Sequence, residues 1–417
     1  MRRGMVAAAL GALLFGATVP AATADTAGAS PARWSVDLGG GGAQEVNLRH
    51  VGGAFAVASQ TFHPAAAGTG GTGYGSQTEP AHSLAAPANR VTADLRADLP
   101  AGATAAVDVR GLTAQGTWTE WREATLTAPA ILPATVTAVQ SRVTVQDTGG
   151  RARVRALYLS ADLVAAPQTA GAPLAAASVS SRVYATREGL VGGTTANGHV
   201  IQSNDHFVAL PSRRGLSPNG SGQYSVQVCG PVRCETAPVW DVGPWNTTDD
   251  YWNPSSTRQS FGDLAQGLPE AQAAYQNGYN GGLDGFGRHV SNPAGIDLAD
   301  GTFYNVGLND NGWVTVTYLW TGGGTPTGKY WVDTFANAPV YASATSTAQT
   351  GTLYQGTNYV YCKVWGRQIG SGSSYNHWWL RTDPDVGPAN QYVSAYYLSR
   401  WGNDEAKDNN GVVIPNC

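Results

Sequence analysis

Alternation of hydrophobic and polar residues is the main pattern along this chain, and it predicts strands rather than helices. The alternation is clear in RVTADLRADL, SRVTVQDT, YSVQVCG and WVTVTYLW, and glycines lie between such runs. Successive side chains of a strand point to opposite faces, so each run has one face for a core. One stretch, LPEAQAAYQNG, predicts a helix, with Pro269 near its start and Gly278 near its end. We expect an all-β protein with one partly helical insertion.

The strands fall into three segments that small, polar linkers separate. The first predicts an N-terminal β-sandwich and contains a glycine-rich loop from Ala65; the second predicts a closed barrel with the helical insertion. The third is short, which suggests a small barrel that disulfides help to stabilise. The expected segments are residues 33–165, 182–320 and 329–417, with linkers at 164–181 and 321–328.

The first 24 residues have the features of a secretory signal peptide. Arg2 and Arg3 precede an apolar run over residues 5–19, and Ala22-Thr23-Ala24 forms a cleavage site. No later apolar run approaches the ~20 residues that a membrane helix needs. We therefore expect a secreted protein, extracellular or associated with the cell wall, with no membrane contact after cleavage.

Four cysteines, Cys229, Cys234, Cys362 and Cys417, allow three disulfide pairings. We favour Cys229–Cys234, which closes a short loop, and Cys362–Cys417, which ties down the C-terminus. No histidine lies near either pair at ligand spacing, so we expect no metal site and no cofactor.

The composition excludes some partners. Charged residues make up 13% of the 417 residues and the net charge is −4. Such a chain has no field that would hold nucleic acid or an anionic membrane. The 13 tryptophans and 18 tyrosines favour short strands and aromatic surfaces. We expect a monomer.

Four motifs of the middle segment occur in the order of a known family. They are TTANG from Thr194, DHFVALPS from Asp205, VWDVGPWN from Val239 and GIDLAD from Gly295. In order and rough spacing they resemble the double-psi β-barrel of rare lipoprotein A, expansins and barwin-type proteins. The resemblance covers about 140 residues. It implies a groove that binds linear β-1,4-linked polysaccharides.

The resemblance also implies catalytic residues. The histidine and aspartate of rare lipoprotein A correspond to His206 and Asp241, and the essential acid of expansins corresponds to Asp297. Burial beside apolar groups would raise the pKa of Asp241 and suit it to general acid/base catalysis, with His206 and Asp297 in support. The chain departs from the family at Asp205 and Val242 and in a long insertion after Pro244. Without the family, the residues around Asp241 favour a turn acceptor over a catalytic acid.

Other residues of this segment have two interpretations each. Trp245, Tyr251 and Trp252 stack on sugar faces or belong to the core. Asn197 binds substrate or shapes the turn of TTANG. The neighbouring acids Asp249 and Asp250 are expected to be solvated loop charges.

The flanking segments resemble wall-binding modules. PVYASATSTAQTGTLYQGTNYVYC, HWWLRT and YVSAYYLS resemble bacterial SH3-like domains, which implies binding of cell-wall peptides. The groove or the core would then hold Trp378, Trp379, Tyr396 and Tyr397. VDVRG, GTWTEWREA and SRVTVQ resemble the sandwich found ahead of secreted actinobacterial wall amidases. Trp118 and Trp121 both lie in GTWTEWREA, as core or as a glycan platform.

Together these observations predict a secreted, cell-wall-directed protein that binds and cleaves peptidoglycan glycan strands, as a lytic transglycosylase or a glycosidase. The alternative is an expansin-like protein that binds polysaccharide and loosens the wall without catalysis. A third interpretation is an inhibitor or adhesion module that acts on proteins. Catalysis requires Asp241 close to His206 or Asp297 at an open groove. An Asp241 that is buried and bonded to backbone amides would argue against it.

Overall fold

The structure, a computed structural model, describes residues 31–66, 73–165, 178–322, 330–388, 390–409 and 411–417. The expected signal peptide lies outside these residues, and so does most of both expected linkers. Residues Pro31–Cys417 form one unit, which is all-β as the alternation predicts. Its three segments each enclose a hydrophobic core. No helix within the described ranges is long and apolar enough to span a lipid bilayer.

The first segment is a β-sandwich of antiparallel strands. The strands are β1 (Ala32–Val36), β2 (Gln44–Val46), β3 (Leu48–Val51), β4 (Ala54–Val57), β5 (Tyr74–Thr78), β6 (His82–Asp98), β7 (Thr104–Thr113), β8 (Arg122–Glu123), β9 (Ala130–Gln146) and β10 (Arg153–Asp162). One layer contains β2, β5, β9, β7 and β8, and the other contains β1, β10, β4 and β3. The long strand β6 pairs with β9 through its first half and with β10 through its second half, so it joins the two layers.

The sandwich core follows from the alternation along its strands. Val107 of β7 and Val143 of β9 face Leu157 and Leu159 of β10 in one buried cluster. Between the two leucines, Tyr158 points to the other side and is half exposed. The outer face of β10 therefore lies open to solvent.

The middle segment is a closed six-stranded barrel in the order β11-β15-β12-β14-β13-β16. Its strands are β11 (Val179–Arg187), β12 (Val208–Leu210), β13 (Ser225–Cys229), β14 (Cys234–Val242), β15 (Ala294–Leu298) and β16 (Gly312–Tyr318). Two neighbouring pairs, β11 with β15 and β12 with β14, are parallel, and the other pairs are antiparallel. The strands β12 to β14 and β16 coincide with the runs HFVALP, YSVQVCG, APVWDVG and WVTVTYLW.

A row of paired residues crosses four strands of the barrel and positions two of the expected acids. Thr186 pairs with Asp297, Asp297 with Ala209, and Ala209 with Asp241. Alternate residues of the same strands fill the barrel core: Val208, Leu210, Ile296 and Leu298. Because alternate residues face opposite sides, the row points out of the barrel. Asp241 and Asp297 flank β12, and two strand spacings separate their backbones by about 10 Å.

The predicted helix is present in the insertion between β14 and β15. It is α1 (Glu270–Asn277), which ends at Gly278 in a left-handed conformation with φ of 66°. Glycine adopts this conformation without steric cost, so it is suited to end a helix. A second short helix, α2 (Asp300–Asn305), follows β15.

The C-terminal segment consists of two small antiparallel sheets around one core. Its strands are β17 (Tyr330–Thr334), β18 (Ala338–Tyr341), β19 (Gln349–Leu353), β20 (Gly356–Val360), β21 (Cys362–Ser371), β22 (Ser374–Thr382) and β23 (Gln391–Ser394). One sheet is β17-β20 and the other is β19-β18-β23-β22-β21. This arrangement agrees with the small barrel expected from the sequence.

Both expected disulfides are present. Cys229–Cys234 joins the facing ends of β13 and β14. Cys362–Cys417 fastens the last residue to the start of β21, where the Cys417 amide also donates to the Lys363 carbonyl at 3.0 Å. All four cysteines are therefore used in structural bonds.

We expect loss of the long-range disulfide to destabilise the protein more than loss of the short one. The bonds close loops with sequence separations of 55 and 5 residues. Chain entropy then gives about 4 kcal/mol for Cys362→Ser/Cys417→Ser and about 2 kcal/mol for Cys229→Ser/Cys234→Ser. Urea unfolding of both variants measures the difference. An equal or larger loss in the Cys229–Cys234 variant would contradict the argument.

Candidate functional site

Asp241 is fully buried, and backbone amides satisfy its carboxylate. Oδ1 accepts hydrogen bonds from the N–H groups of Ala196 at 2.8 Å and Val242 at 2.7 Å, and Oδ2 accepts one from Ala66 at 2.9 Å. Burial raises the pKa of Asp241 to about 6, against the lowering effect of these three amides. In this geometry the carboxylate joins three parts of the chain and does not face an open groove.

The sandwich supplies the segment that covers Asp241. This covering loop, residues 61–66, belongs to the glycine-rich loop after β4. Its Ala65 packs against Ile201 and Trp240 of the barrel. A Cβ atom at Gly243 would lie 2.4 Å from the Ala66 carbonyl oxygen, and Gly243 has φ of 150°. Glycine in the Gly-Pro turn therefore lets the loop approach the barrel closely.

Glu188, one residue after β11, is a buried acid that the sequence analysis missed. No N–H or hydroxyl of the described residues donates to either of its side-chain oxygens. Its pKa is raised well above the usual range by burial and by the charges of Asp241 and Asp297, and its carboxyl contacts that of Asp241. Two adjacent carboxyls cannot both be charged without repulsion, so Glu188 is the protonated partner of the pair.

Asp297 completes a group of three acids on the outer face of the barrel. Burial raises its pKa to about 7, a hydrogen bond from Thr186 lowers it, and the charge of Asp241 raises it further. The structure therefore brings together two of the three expected catalytic residues, Asp241 and Asp297. The charges of both raise the pKa of Glu188.

His206 lies elsewhere, between the barrel and the C-terminal segment. Its Nδ1 is 2.7 Å from Oε1 of Glu235, and its Nε2 is 2.7 Å from Oδ1 of Asp385, an ion pair whose geometry falls short of a hydrogen bond. Burial lowers the pKa of His206, but the charges of Glu235 and Asp385 outweigh this and hold it well above the usual range. Both ring nitrogens are engaged by these acids, so the expected proton transfer with Asp241 is not supported.

The three aromatic residues expected to stack on sugars are engaged within the protein. Tyr251 and Trp252 are fully buried in the barrel core, where Trp252 stacks on Tyr318 at 5.3 Å. Trp245 is half-buried, and its ring N–H donates to Asn292 at 3.2 Å. Of the two interpretations of Tyr251 and Trp252, the structure supports the core and not the sugar platform, because the insertion folds back into the core.

The neighbouring acids Asp249 and Asp250 were also wrongly predicted to be solvated. Both are fully buried. Asp249 is 2.5 Å from a guanidinium nitrogen of Arg258, and Asp250 is 2.5 Å from one of Arg214. The Asp249–Arg258 pair therefore lies within the insertion, and the Asp250–Arg214 pair fastens the insertion to the segment after β12.

The aromatic residues of the flanking segments divide into core and surface. Trp379 is buried, so it is not part of a peptide groove, while Trp378, Tyr396 and Tyr397 are half-buried. Trp378 lies edge-to-face with Trp365, whose side chain is 56% exposed. Trp365 is therefore the more exposed ring of this pair, and Trp378 is partly exposed beside it.

The sandwich tryptophans lie at the junction with the barrel. Trp121 is buried and donates from its ring N–H to the Leu216 carbonyl at 3.0 Å. The Arg110 guanidinium lies over Trp118 at 4.3 Å and over Trp121 at 4.5 Å. Of the two residues considered as a glycan platform, Trp121 is therefore a contact between modules, and Trp118 packs against Arg110 of its own module.

A polar cleft lies where the three segments meet. It has a volume of about 400 Å³. We call it the three-module cleft, and it is lined by Gln44 and Glu45 of the sandwich, by Asn197, Gly198, His199, Asn219, Gly220 and Trp240 of the barrel, and by Asp333, Thr357, Arg400 and Asn409 of the C-terminal segment. Asn197 was expected at a binding site, and the cleft includes it.

The TTANG turn, which contains Asn197, links the cleft to the buried acids. On one side of the turn, the N–H of Ala196 donates a hydrogen bond to Asp241. On the other side, Asn197 accepts a bond from the Thr195 hydroxyl at 2.7 Å and donates one to the Ser217 carbonyl at 3.1 Å. These bonds are those of a turn residue, and they fix the shape of the cleft wall.

His199 is a second residue that the sequence analysis missed. Its Nε2 is 2.6 Å from Oδ2 of the buried Asp205, and its ring lies 4.7 Å from that of Trp240. Asp205 replaces the usual alanine of the family motif, and this departure could have drawn attention to a histidine nearby. A buried carboxylate that orients a histidine at a cleft is an arrangement suited to hydrogen bonding or proton transfer. Within the described ranges, no cluster of His, Cys, Asp and Glu side chains could hold a metal ion.

We expect the stability of the protein to fall as the pH rises from about 4 to about 7, and Asp297→Asn to reduce that dependence. The pKa of Asp297 is about 7 in the folded protein and ~3.9 in an unfolded chain. The folded state therefore binds a proton more tightly across this window, and unfolding becomes easier with rising pH, by at most roughly 1.4 kcal/mol per pH unit for one group.

Urea unfolding at pH 4 to 8 measures this slope. Asp297→Asn keeps the shape of the neutral acid, so it should flatten the slope and increase stability relative to the unsubstituted protein at pH 8. Asp310→Asn, at an exposed position, is the control. An unchanged slope in Asp297→Asn would contradict the assignment.

Comparison with known proteins identifies one region. A family model described as a domain of unknown function, DUF8814, matches residues 179–317. This range runs from the first residue of β11 to the last but one of β16, so the match coincides with the barrel. No curated protein and no solved structure matches the chain. The barrel is thus similar to a recognised domain whose function is not described.

Proposed function

We propose that this is a secreted, cell-wall-directed protein that binds the glycan strands of peptidoglycan, or another β-1,4-linked polysaccharide, in the three-module cleft. The observation that supports this most is the composition of the cleft. It combines Asn197 and Trp240, from two motifs of the glycan-binding resemblance, with polar side chains from both flanking modules.

The chemistry of the cleft suits a sugar chain. Amide, hydroxyl and charged groups offer both donors and acceptors for hydroxyl groups. Glu45 and Asp333 oppose Arg400, so the cleft carries charges of both signs and no strong positive field that would select a polyanion. A volume of about 400 Å³ lies within the range of small-ligand sites.

Binding without cleavage, the expansin-like alternative, fits the acids better. A glycosidic bond is cleaved by an acid that reaches the leaving oxygen. Asp241 is buried and bonded to three amides, which is the condition that argues against catalysis. The covering loop separates it from the surface.

Cleavage is a second candidate, because one observation favours it. Glu188 and Asp241 form a carboxyl pair with raised pKa values, and Asp297 lies beside it with a pKa of about 7. Such groups are common in active sites. Catalysis would require the covering loop to leave, so that a glycan reaches the pair.

The C-terminal segment would add a wall-peptide contact through its exposed rings, Trp365 and Trp378. Binding of one wall polymer by more than one module raises the overall affinity without new contacts at either site. Two disulfides are typical of proteins that leave the reducing cytosol, which supports secretion.

We expect Asn219→Ala combined with Arg400→Ala to weaken binding to purified peptidoglycan. Both side chains are exposed at the cleft, and loss of two hydrogen bonds to hydroxyls costs about 1 to 3 kcal/mol, or five- to a hundred-fold in affinity. Co-sedimentation measures the change. Arg151→Ala, at an exposed arginine in the turn before β10, is the matched control. Binding equal to that of the control would count against the cleft.

We expect purified peptidoglycan to remain intact after incubation with the protein. Mass analysis of muropeptides distinguishes the two candidates. New reducing ends would indicate hydrolysis, and anhydro ends would indicate transglycosylation. Either product would overturn the proposal of binding alone if Asp241→Asn no longer formed that product. Asp241→Asn keeps the shape of the side chain and removes its proton.

A further inference from the structure

The outer face of the sandwich presents two rows of side chains across β1, β10 and β6. One row pairs Arg33 with Ser160 and Ser160 with Thr92. The next pairs Ser35 with Tyr158 and Tyr158 with Asp94. Residues paired across antiparallel strands lie on one side of the sheet, so these six side chains form one surface. We call it the Tyr158 face.

The Tyr158 face is concave and has an aromatic ring at its centre. It encloses a volume of about 570 Å³ and is bounded by Leu126 from the segment after β8. Tyr158 is 50% exposed and Leu126 is 62% exposed. The alternate residues Leu157 and Leu159 lie in the sandwich core and hold the sheet rigid beneath the ring. A tyrosine in this position costs little conformational entropy when it binds a flat ligand.

The charges of the face are largely balanced. Arg90 bonds Asp162 at 2.8 Å at one end, and Arg96 bonds Asp94 at 2.7 Å at the other. Arg33 has no hydrogen-bond or ion-pair partner among the described residues. Because the charges are paired, the face attracts neither a polyanion nor a polycation strongly. The guanidinium and carboxylate groups of the face can still form hydrogen bonds with the hydroxyl groups of a ligand.

The Tyr158 face also differs from the tryptophan surface considered from the sequence. Trp121 donates to the Leu216 carbonyl of the barrel, and Trp118 packs against the Arg110 guanidinium within the sandwich. Tyr158 lies in the other layer of the sandwich, on β10, where the described residues place no other module over it. An aromatic platform is therefore present in this module, on a different strand from the predicted one.

We propose that the Tyr158 face is a second binding site for a linear polysaccharide, separate from the three-module cleft. The sugar ring stacks on Tyr158, Arg33 and Asp94 hydrogen-bond its hydroxyl groups, and Leu126 borders the chain. That the polysaccharide is the wall glycan rests on the proposed function. The protein would then contact polysaccharide on the sandwich as well as in the cleft. The two sites would bind the same glycan strand or two neighbouring glycan strands.

The test uses the full mature chain and a hexasaccharide of β-1,4-linked N-acetylglucosamine in isothermal titration calorimetry. Removal of a stacked aromatic ring costs up to about 1.5 kcal/mol, so Tyr158→Ala should weaken the hexasaccharide affinity of this site about tenfold. Arg33→Ala should weaken it in the same direction. Tyr275→Ala, at a tyrosine of α1 that is 53% exposed, is the matched control and should leave the affinity unchanged.

The combination with Asn219→Ala/Arg400→Ala separates the two sites. If the Tyr158 face binds, the cleft variant keeps hexasaccharide binding, and adding Tyr158→Ala weakens that binding about tenfold. If Tyr158→Ala binds as the control does, or if the unsubstituted protein binds no hexasaccharide, the Tyr158 face is not a site. Peptidoglycan co-sedimentation of the cleft variant reports on the proposed function independently, so the two can fail separately.

Discussion

The buried carboxylate of Asp241 is the interaction on which the arrangement of this protein depends. A charge out of water is costly unless hydrogen bonds replace its hydration. Its three donors come from the sandwich, the TTANG turn and β14. Withdrawal of the covering loop would remove the amide of Ala66 and leave Oδ2 without that bond. The hydrogen bond from Ala66 to the buried Asp241 therefore helps to hold the sandwich on the barrel. The apolar contacts of Val46, Tyr74 and Leu216 add to it.

His206 has the same role on the other side of the barrel. Its imidazolium lies between Glu235 of β14 and Asp385 of the C-terminal segment. Removing one partner of such a buried group costs about 3 to 5 kcal/mol because the others remain uncompensated. The histidine and aspartate that the family resemblance marks for chemistry thus both join modules here. This is a physical reason to favour binding over cleavage, since each group is already engaged in the folded state.

Local patterns predicted much of the fold, and long-range pairing determined the rest. Alternation located the strands of the barrel, and Pro269 with Gly278 located α1. The disulfides followed from loop closure alone. Glu188 was missed because its neighbours Asp241 and Asp297 are 53 and 109 positions away in the sequence, and only the pairing of four strands brings them together. The sequence left Tyr251 and Trp252 open between surface and core, and the fold of the insertion places them in the core. Asp249 is paired with Arg258, nine residues later in the sequence. The alternation of hydrophobic and polar residues does not predict such a pair.

The three-module cleft exists only because the modules are fixed against each other. Its wall takes Glu45 from the sandwich, His199 from the barrel and Arg400 from the C-terminal segment. A ligand that bridges these groups would bind the assembled state and not the separated modules, so it would stabilise the same contacts that Asp241 and His206 hold. Binding of such a ligand would therefore be coupled to the stability of the assembled modules. The interactions that bury its acids also position the side chains of the cleft in advance, and less entropy is then lost on binding.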